Sequence, residues 1–237
     1  MNNNSFGTNS YTADMPDSYV HFNKHKVFDE LLDRFTKHNP QNNERDIPRL
    51  WSLILNCKQV LHEGVEGDFA EVGVFRGNSA AVLAEFAKFM GRRAYLFDTF
   101  DGFDETDFNG PDSQRQAGEW GDTSTSLVEE VLGDSAEACS FVEGYFPDSL
   151  TKEHKKNNYA IVSIDCDLYK PIKASLDEFY PLLSHGGVFF VHDYSSRFWE
   201  GATNAVDEFC KETGEHLIAM PDKSGSAFIR KTVKPQE

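Results

Sequence analysis

Short apolar runs alternate with stretches of helical spacing along most of the chain, a pattern typical of α/β folds. The runs predict buried parallel strands at Asp68–Val74, Tyr95–Phe97, Cys139–Glu143, Tyr159–Ile164 and Val188–Val191. Between them, apolar residues at helical spacing predict helices at Ser79–Met90, Leu127–Leu132, Tyr169–Leu183 and Ala202–Glu212. We expect Gly186 and Gly187 to form the turn that ends the third of these helices.

The two ends of the chain depart from this alternation. Tyr19–His38 and a stretch that starts at Pro48 show helical spacing before the first strand. Leu217–Met220 and Ser226–Ile229 predict a closing antiparallel pair. The predicted fold is α/β: a Rossmann-like doubly wound sheet, mostly parallel, with an antiparallel C-terminal hairpin and additional N-terminal helices.

This pattern divides the chain into three parts. Residues 1–18 are polar and rich in Asn, so we expect them to be disordered. Residues 19–66 form the N-terminal helical segment, which could cover an active site or form a dimer surface. Residues 67–237 form the main domain.

The start of the main domain has the pattern of a nucleoside-binding βαβ unit. A strand leads into a turn with Gly73 and Gly77, a helix follows, and the second strand ends in Asp98. Glycines let backbone amides approach a ligand closely, and the N-terminus of a helix carries partial positive charge. An acid at the end of the second strand can accept hydrogen bonds from ribose hydroxyls. Asn78 and Ser79 at the helix start, and Thr99 beside Asp98, join the predicted cofactor contacts.

Two side chains in this unit indicate which nucleoside fits. Phe75 stands where a dinucleotide's pyrophosphate would need bare backbone, which argues against NAD. Glu71 is an acid inside the strand and suits a cationic or amino-bearing ligand, so S-adenosylmethionine fits better. The alternative is an ordinary αβ turn with a chance acid. By the switch-point rule, Glu143 and Gly144 at the third strand tip should lie near the adenine.

The connection 99–126 is long and polar, as lids often are. Its aromatic side chains could form a pocket wall, or they could anchor a solvent-exposed insertion to the body of the domain. These residues are Phe100, Phe103, Phe108 and Trp120.

Chemistry-bearing side chains follow two neighbouring strands, with Asp165 and Asp167 after one and His192 and Asp193 after the next. Carboxylates that close together repel one another unless a cation balances them, so a divalent metal ion is expected. Oxygen ligands favour Mg, Mn or Ca, and an imidazole shifts the preference towards Mn, Fe, Co, Ni or Zn. The alternatives are that the aspartates only cap helices and that His192 is a general base or a structural residue.

Composition narrows the partners. The formal net charge of −16 argues against nucleic acid and against an anionic membrane surface, and favours a small-molecule substrate. The four cysteines are scattered and are expected to be reduced. No transmembrane run or signal pattern is evident, so a cytoplasmic protein is expected, with a homo-oligomer left open.

Six motifs, taken in this order, resemble the macrocin O-methyltransferase (TylF/MycF-like) family over about Leu50–Arg230: EVGVFRGNSA, LFDTFDGF, EGYFPDSL, SIDCDLYKP, LLSHGGVFFVHDY and AVDEF. Those enzymes are class I S-adenosylmethionine-dependent methyltransferases that act with Mg on sugar hydroxyls of natural products. The resemblance implies that 67–237 is a methyltransferase domain. It also implies that Glu71, Gly73 and Gly77 face the methionine end of the cofactor.

The resemblance further implies that Asp98 faces the ribose and the Glu143–Gly144 segment the adenine. Asp165 would be a metal ligand and candidate base, and Asp193 a further ligand. The family commonly has an acid pair before the tyrosine, where this chain has His192–Asp193, so Mn or Fe stand beside Mg as candidates.

The leading hypothesis is therefore a metal-dependent O-methyltransferase that acts on a hydroxyl of a small specialised metabolite. A second hypothesis keeps the fold but uses the His/Asp site for a redox-active metal. A third is a non-catalytic module that binds the nucleoside. The absence of a GxSxG motif disfavours a serine hydrolase.

Overall fold

The protein folds around one seven-stranded sheet with helices on both faces. The computed structural model describes residues 26–196 and 198–232. The strands are β1 (Asp68–Val72), β2 (Ala94–Asp98), β3 (Cys139–Glu143), β4 (Tyr159–Ile164), β5 (Leu183–Val191), β6 (Leu217–Ala219) and β7 (Ala227–Arg230). Their order in the sheet is β3-β2-β1-β4-β5-β7-β6. The first five strands are parallel, and β7 pairs antiparallel with both β5 and β6, which confirms the predicted fold class.

The helices that precede and connect these strands are α1 (Lys26–Thr36), α2 (Pro40–Asn43), α3 (Ile47–His62), α4 (Asn78–Met90), α5 (Thr125–Leu132), α6 (Tyr169–Phe179) and α7 (Glu200–Thr213). Short 3₁₀ turns lie at Glu105–Asp107, Gly110–Asp112, Gly133–Ala138 and His154–Lys156. Local signals set several helix ends. Asp46 caps α3 by accepting the amide of Arg49, Ser124 caps α5, and Gly91 ends α4 in the left-handed conformation.

Strand alternation divides the core between the two faces of the sheet. Phe69 and Ile161 face one core with α1, α3, α4 and α5. Ala70 and Val162 face the other core with α6 and α7. Residues 71, 163 and 165 therefore continue on the face covered by the N-terminal helices. Asp165, which follows β4, therefore lies on the side of the sheet that these helices cover.

The predicted helix Tyr169–Leu183 is too long, and the predicted role of its glycines is wrong. The helix α6 ends at Phe179, and Leu183 begins β5 opposite Tyr159. The register then shifts, so that Gly186 and Gly187 lie in an irregularity inside β5. The prediction extended the helix too far because the end of α6 and the start of β5 both carry apolar residues, so Leu182 and Leu183 fit the helical spacing.

The expectations for the N-terminus are partly outside the described residues. Residues 1–18, and residues 19–25 of the predicted first helix, lie there, so their expectations stay predictions. The rest of that helix corresponds to α1. All four cysteines are free thiols, as expected. No helix of the described residues is long and apolar enough to cross a membrane.

Candidate active site

Strand register brings the two predicted strand tips together. Ile164 of β4 pairs with Val191 of β5, so the next residues, Asp165 and His192, follow side by side. The amide of His192 donates to the Ile164 carbonyl at 3.0 Å, and the amide of Asp165 donates to the Val72 carbonyl at 2.8 Å. Both side chains continue on the face of the sheet that α3 covers. The predicted meeting of these tips is thus a consequence of sheet pairing.

Asp165, His192 and Asp193 form a compact cluster, with one ligand atom from each lying within 4.8 Å of the others. His192 Nδ1 is 2.7 Å from Asp165 Oδ1 and 2.6 Å from Asp193 Oδ2. Although these distances are short, neither ring nitrogen has a hydrogen-bond partner of normal geometry among the described residues. His192 is 8% exposed, so its nitrogens are buried donors or ligands without an aligned partner.

The carboxylates and the imidazole of this cluster stabilise each other's charged forms. Burial and the charge of Arg49 oppose protonation of His192, but Asp165 and Asp193 outweigh them and raise its pKa to about 10. Burial also opposes ionisation of Asp165, yet His192 and Arg49 hold the pKa of that carboxyl well below its usual range. Without a metal ion, the cluster therefore holds an imidazolium between carboxylates.

Asp167 lies outside the three-residue cluster. It adopts a left-handed backbone with φ of 61°, at the start of the turn into α6. Burial, followed by the charges of Asp193 and Asp165, raises the pKa of its carboxyl well above the usual value. Of the two acids in this strand tip, Asp165 is the one that joins His192 and Asp193.

Arg49 is a site residue that sequence reasoning missed. Its Nη2 donates to Asp165 Oδ2 at 2.5 Å, and its side chain is only 5% exposed. It comes from the third position of α3, where the positive helix end disfavours a cation. A basic residue at that position, on the buried face of a helix, was the available signal.

The glycine turn lies beside the cluster, and a different neighbour excludes a side chain at each of its two glycines. A Cβ on Gly73 would lie 2.2 Å from the Asp165 carbonyl oxygen, and φ there is 84°. Gly73 lines the pocket at this edge of the sheet. A Cβ on Gly77 would instead meet Val128 of α5 at 2.7 Å. Gly77 is outside the pocket lining and allows close packing of α5.

Asp98, the predicted ribose acceptor, lines the same pocket and is held by backbone amides. Its Oδ2 accepts the amides of Val74 and Phe75 at 2.6 and 2.8 Å, and its Oδ1 accepts the amide of Phe100 at 2.8 Å. The second strand tip is thereby tied to the glycine turn. Each oxygen has two lone-pair positions, so Oδ1 can accept one more hydrogen bond.

Glu71 is fully buried beneath the turn. Its Oε1 accepts the Ser163 hydroxyl at 3.0 Å, and its Oε2 has no partner among the described residues. Burial raises the pKa of this carboxyl to about 8. Glu71 is not among the residues that line the pocket, so a contact with a cationic ligand stays a prediction.

The other predicted cofactor residues are distributed around the pocket. Ser79, Thr99 and Gly144 line it, while Glu143 is exposed and outside the lining. Asn78 also lines the pocket, but its side-chain amide donates to the Arg34 and Lys37 carbonyls at 3.0 and 2.8 Å. That amide fastens α1 to the start of α4.

The aromatic residues of the connection 99–126 serve both roles that the sequence left open. Phe103 and Trp120 line the pocket and also pack, like Phe108, against the core on the α6 and α7 face, and Phe100 packs against the other core. Trp199, just before α7, completes the wall by packing edge-on against Phe103 at 5.9 Å. The guanidinium of Arg115 lies 3.7 Å above the Trp199 ring.

Comparison with known proteins identifies the family. The macrocin-O-methyltransferase (TylF) family matches residues 45–229. The chain belongs to this family. The match confirms the resemblance seen in the motifs, and it includes α3 with Arg49 as well as the whole cluster at the strand ends.

Comparison with individual proteins shows how far the similarity extends. The chain is 29% identical over 160 residues to 8-demethyl-8-(2,3-dimethoxy-alpha-L-rhamnosyl)-tetracenomycin-C 4'-O-methyltransferase of Streptomyces olivaceus, covering 63% of the chain and 61% of that protein. It is 27% identical over 197 residues to demethyldecarbamoylnovobiocin O-methyltransferase of Streptomyces niveus, covering 78% and 74%. The O-methyltransferase NovP has a similar fold, with a TM-score of 0.65, 22% identity, and coverage of 79% and 81%.

Proposed function

We propose that the protein is an O-methyltransferase that uses S-adenosylmethionine and a divalent metal ion to methylate a hydroxyl of a small specialised metabolite. One observation carries this proposal: Asp165, His192 and Asp193 converge within 4.8 Å at the edge of a pocket that the glycine turn also lines. Membership of the TylF family supports the reaction class.

The cofactor is proposed to lie along the strand ends of β1 and β2. Its methionine end would lie near Gly73 and Ser79, where the N-terminus of α4 offers a positive pole to the carboxylate. Its ribose would lie near Asp98 and Thr99, and its adenine near Gly144. The acids around the pocket suit the positive sulfonium.

The metal ion is proposed to bind to Asp165, His192 and Asp193. The donor set fits, because two carboxylates and an imidazole whose nitrogens have no aligned hydrogen-bond partner among the described residues already face one another. Since an imidazole must be neutral to coordinate a metal ion, binding would release the proton that His192 holds. When bound, such an ion would lower the pKa of a nearby substrate hydroxyl.

The reaction transfers one methyl group and one proton. When bound, S-adenosylmethionine would supply the methyl group: its carbon would bond to the acceptor oxygen as the bond to sulfur breaks, and the sulfonium would leave as a neutral thioether. The hydroxyl proton would pass to Asp165, the proposed proton acceptor, because an imidazole that coordinates a metal ion carries a proton on its other nitrogen. The aromatic wall of Phe103, Trp120 and Trp199 would exclude water and orient the acceptor.

The acceptor is proposed to be neutral or cationic, and sugar-like. One relative's name contains a rhamnosyl group, which supports a sugar hydroxyl. The pocket carries Asp104 and Asp107 as well as Arg49 and Lys223, and the whole chain has a net charge of −16, which supports an acceptor without phosphate groups.

The test combines binding and turnover. Calorimetry with S-adenosylmethionine should show binding to the wild type, and methyl-labelled cofactor should label members of a panel of glycosides. Asp193→Ala should abolish labelling while circular dichroism shows a retained fold, and prolonged chelation should do the same to the wild type. Full activity after chelation would disprove the metal role, and cofactor binding without any turnover would favour the non-catalytic alternative.

A further inference from the structure

Arg49 places a permanent positive charge next to the proposed metal ligands. It reaches from α3 to Asp165 across the sheet face, and its guanidinium is withdrawn from solvent, with a side chain 5% exposed. An arginine does not lose its proton in a protein, so this charge is present under all conditions in which the protein is folded.

Arg49 makes its direct hydrogen bond to one carboxylate, that of Asp165, while the charges of Asp46, Asp193 and Asp222 also act on it. Nη2 donates to Asp165 Oδ2 at 2.5 Å, while Nη1 reaches only the uncharged Asn43 Oδ1 at 3.5 Å. The opposite oxygen of Asp165 is the one that faces His192 at 2.7 Å. Arg49 and any ion on the cluster would therefore share one carboxyl group.

We propose that Arg49 is an internal cation that competes with the divalent metal ion for the charge of Asp165, which keeps metal binding weak and exchangeable. This inference rests on the metal site of the proposed function. Arg49 is a positioning residue, because it acts through Asp165. When no metal ion is bound, it neutralises a carboxylate that would otherwise be buried without enough compensating charge.

A purely structural role for Arg49 makes the opposite prediction. If Arg49 only held Asp165 in place, its loss would loosen the site and weaken metal binding. If its charge opposes the metal ion, its loss removes a repulsion inside a poorly solvated cluster and strengthens binding. The sign of the change in affinity therefore separates the two roles.

The experiment measures Mn²⁺ binding to the full chain by the electron paramagnetic resonance signal of free Mn²⁺, without acceptor. Arg49→Gln keeps an amide donor and removes the charge, and we expect its Mn²⁺ dissociation constant to fall at least about tenfold. Arg49→Lys keeps a positive charge but loses the planar fork of donors, so we expect its dissociation constant to lie closer to that of the wild type than that of Arg49→Gln does. The matched control is Arg93→Gln, which removes an arginine bound to the Glu137 and Cys139 carbonyls.

Unchanged or weaker Mn²⁺ binding by Arg49→Gln would overturn the inference and leave the metal site of the proposed function intact. An absence of Mn²⁺ binding by every protein, the wild type included, would overturn both. If Arg49→Gln is folded by circular dichroism only when Mn²⁺ is present, the ion has replaced the missing charge, as we infer. A variant that stays unfolded with Mn²⁺ would contradict the inference.

Discussion

Glu71 and Asp165 are neighbouring carboxyl groups on one face of the sheet, but their surroundings move their pKa values in opposite directions. Burial with only hydroxyl partners raises the pKa of Glu71 to about 8. At Asp165, two cations overcome burial and lower the pKa. The same functional group, a carboxyl, is therefore neutral in the core at Glu71 and ionised in the site at Asp165.

The raised pKa of Glu71 predicts a loss of stability with rising pH. Between the ordinary value of 4.5 and about 8, the folded protein keeps a proton that the unfolded chain has released. The free energy of unfolding should therefore fall through this window, by up to about 1.4 kcal/mol per pH unit. Glu71→Gln mimics the neutral acid and should remove this dependence.

Urea unfolding of the wild type and Glu71→Gln across this pH range measures the effect. Glu143→Gln, at an exposed position, is the matched control and should follow the wild type. Parallel curves for the wild type and Glu71→Gln would show that Glu71 ionises normally in the fold.

His192 predicts the metal preference of the cluster. An imidazole favours later first-row metals, whereas carboxylates suit Mg²⁺. His192→Asp should therefore lower the ratio of Mn²⁺ affinity to Mg²⁺ affinity by roughly tenfold. Calorimetry with each metal chloride measures both affinities, and an unchanged ratio would place His192 outside the coordination shell.

At the scale of elements, the turn after β1 depends on Gly73. A Cβ there would collide with the backbone of the neighbouring strand tip, in a left-handed conformation. Gly73→Ala should lower the free energy of unfolding by more than about 2 kcal/mol and weaken cofactor binding.

Gly91→Ala is the matched control, because Gly91 is also left-handed, with φ of 66°, but has nothing within 4 Å of the added Cβ. It should cost only about 1 kcal/mol, from backbone strain. Thermal unfolding compares the two variants. Equal losses would mean that strain, and not the approach of Asp165, sets the requirement for glycine at position 73.

Sequence patterns predicted those elements whose boundaries coincide with a change in chemistry. The predicted bounds of β3 and β4 agree with the structure, since each ends where an apolar run meets acids or glycine. The boundary between α6 and β5 failed because apolar residues continue through it. Periodicity cannot locate a boundary that has no polar break.

The sequence predicted those residues of the candidate site that lie directly after the ends of parallel strands. Asp165, His192 and Asp193 come together because they follow the ends of two strands, β4 and β5, that are neighbours in the sheet. Arg49 was missed because its contact with Asp165 spans 116 positions in the sequence and depends on how α3 packs on the sheet. Tertiary packing of a helix onto a sheet leaves only a weak local trace.

At the scale of the whole molecule, the N-terminal helices are part of the core. They contribute Phe28, Leu31, Phe35 and Leu50, each no more than 1% exposed. Removing residues 1–66 would expose the matching face of the sheet to water. We expect the fragment 67–237 to lack cooperative thermal unfolding by calorimetry, in contrast to the full chain. A fragment with a sharp unfolding transition would show that the main domain folds alone.

Two segments far apart in sequence share the pocket wall through one stacked pair. Arg115, in the connection between β2 and α5, lies over the ring of Trp199 and also donates to the Phe198 carbonyl. If residues 99–124 were replaced by the corresponding segment of another protein, the Trp199 ring would lose its contact with the Arg115 guanidinium. Such a replacement therefore has to change the segment around Trp199 at the same time.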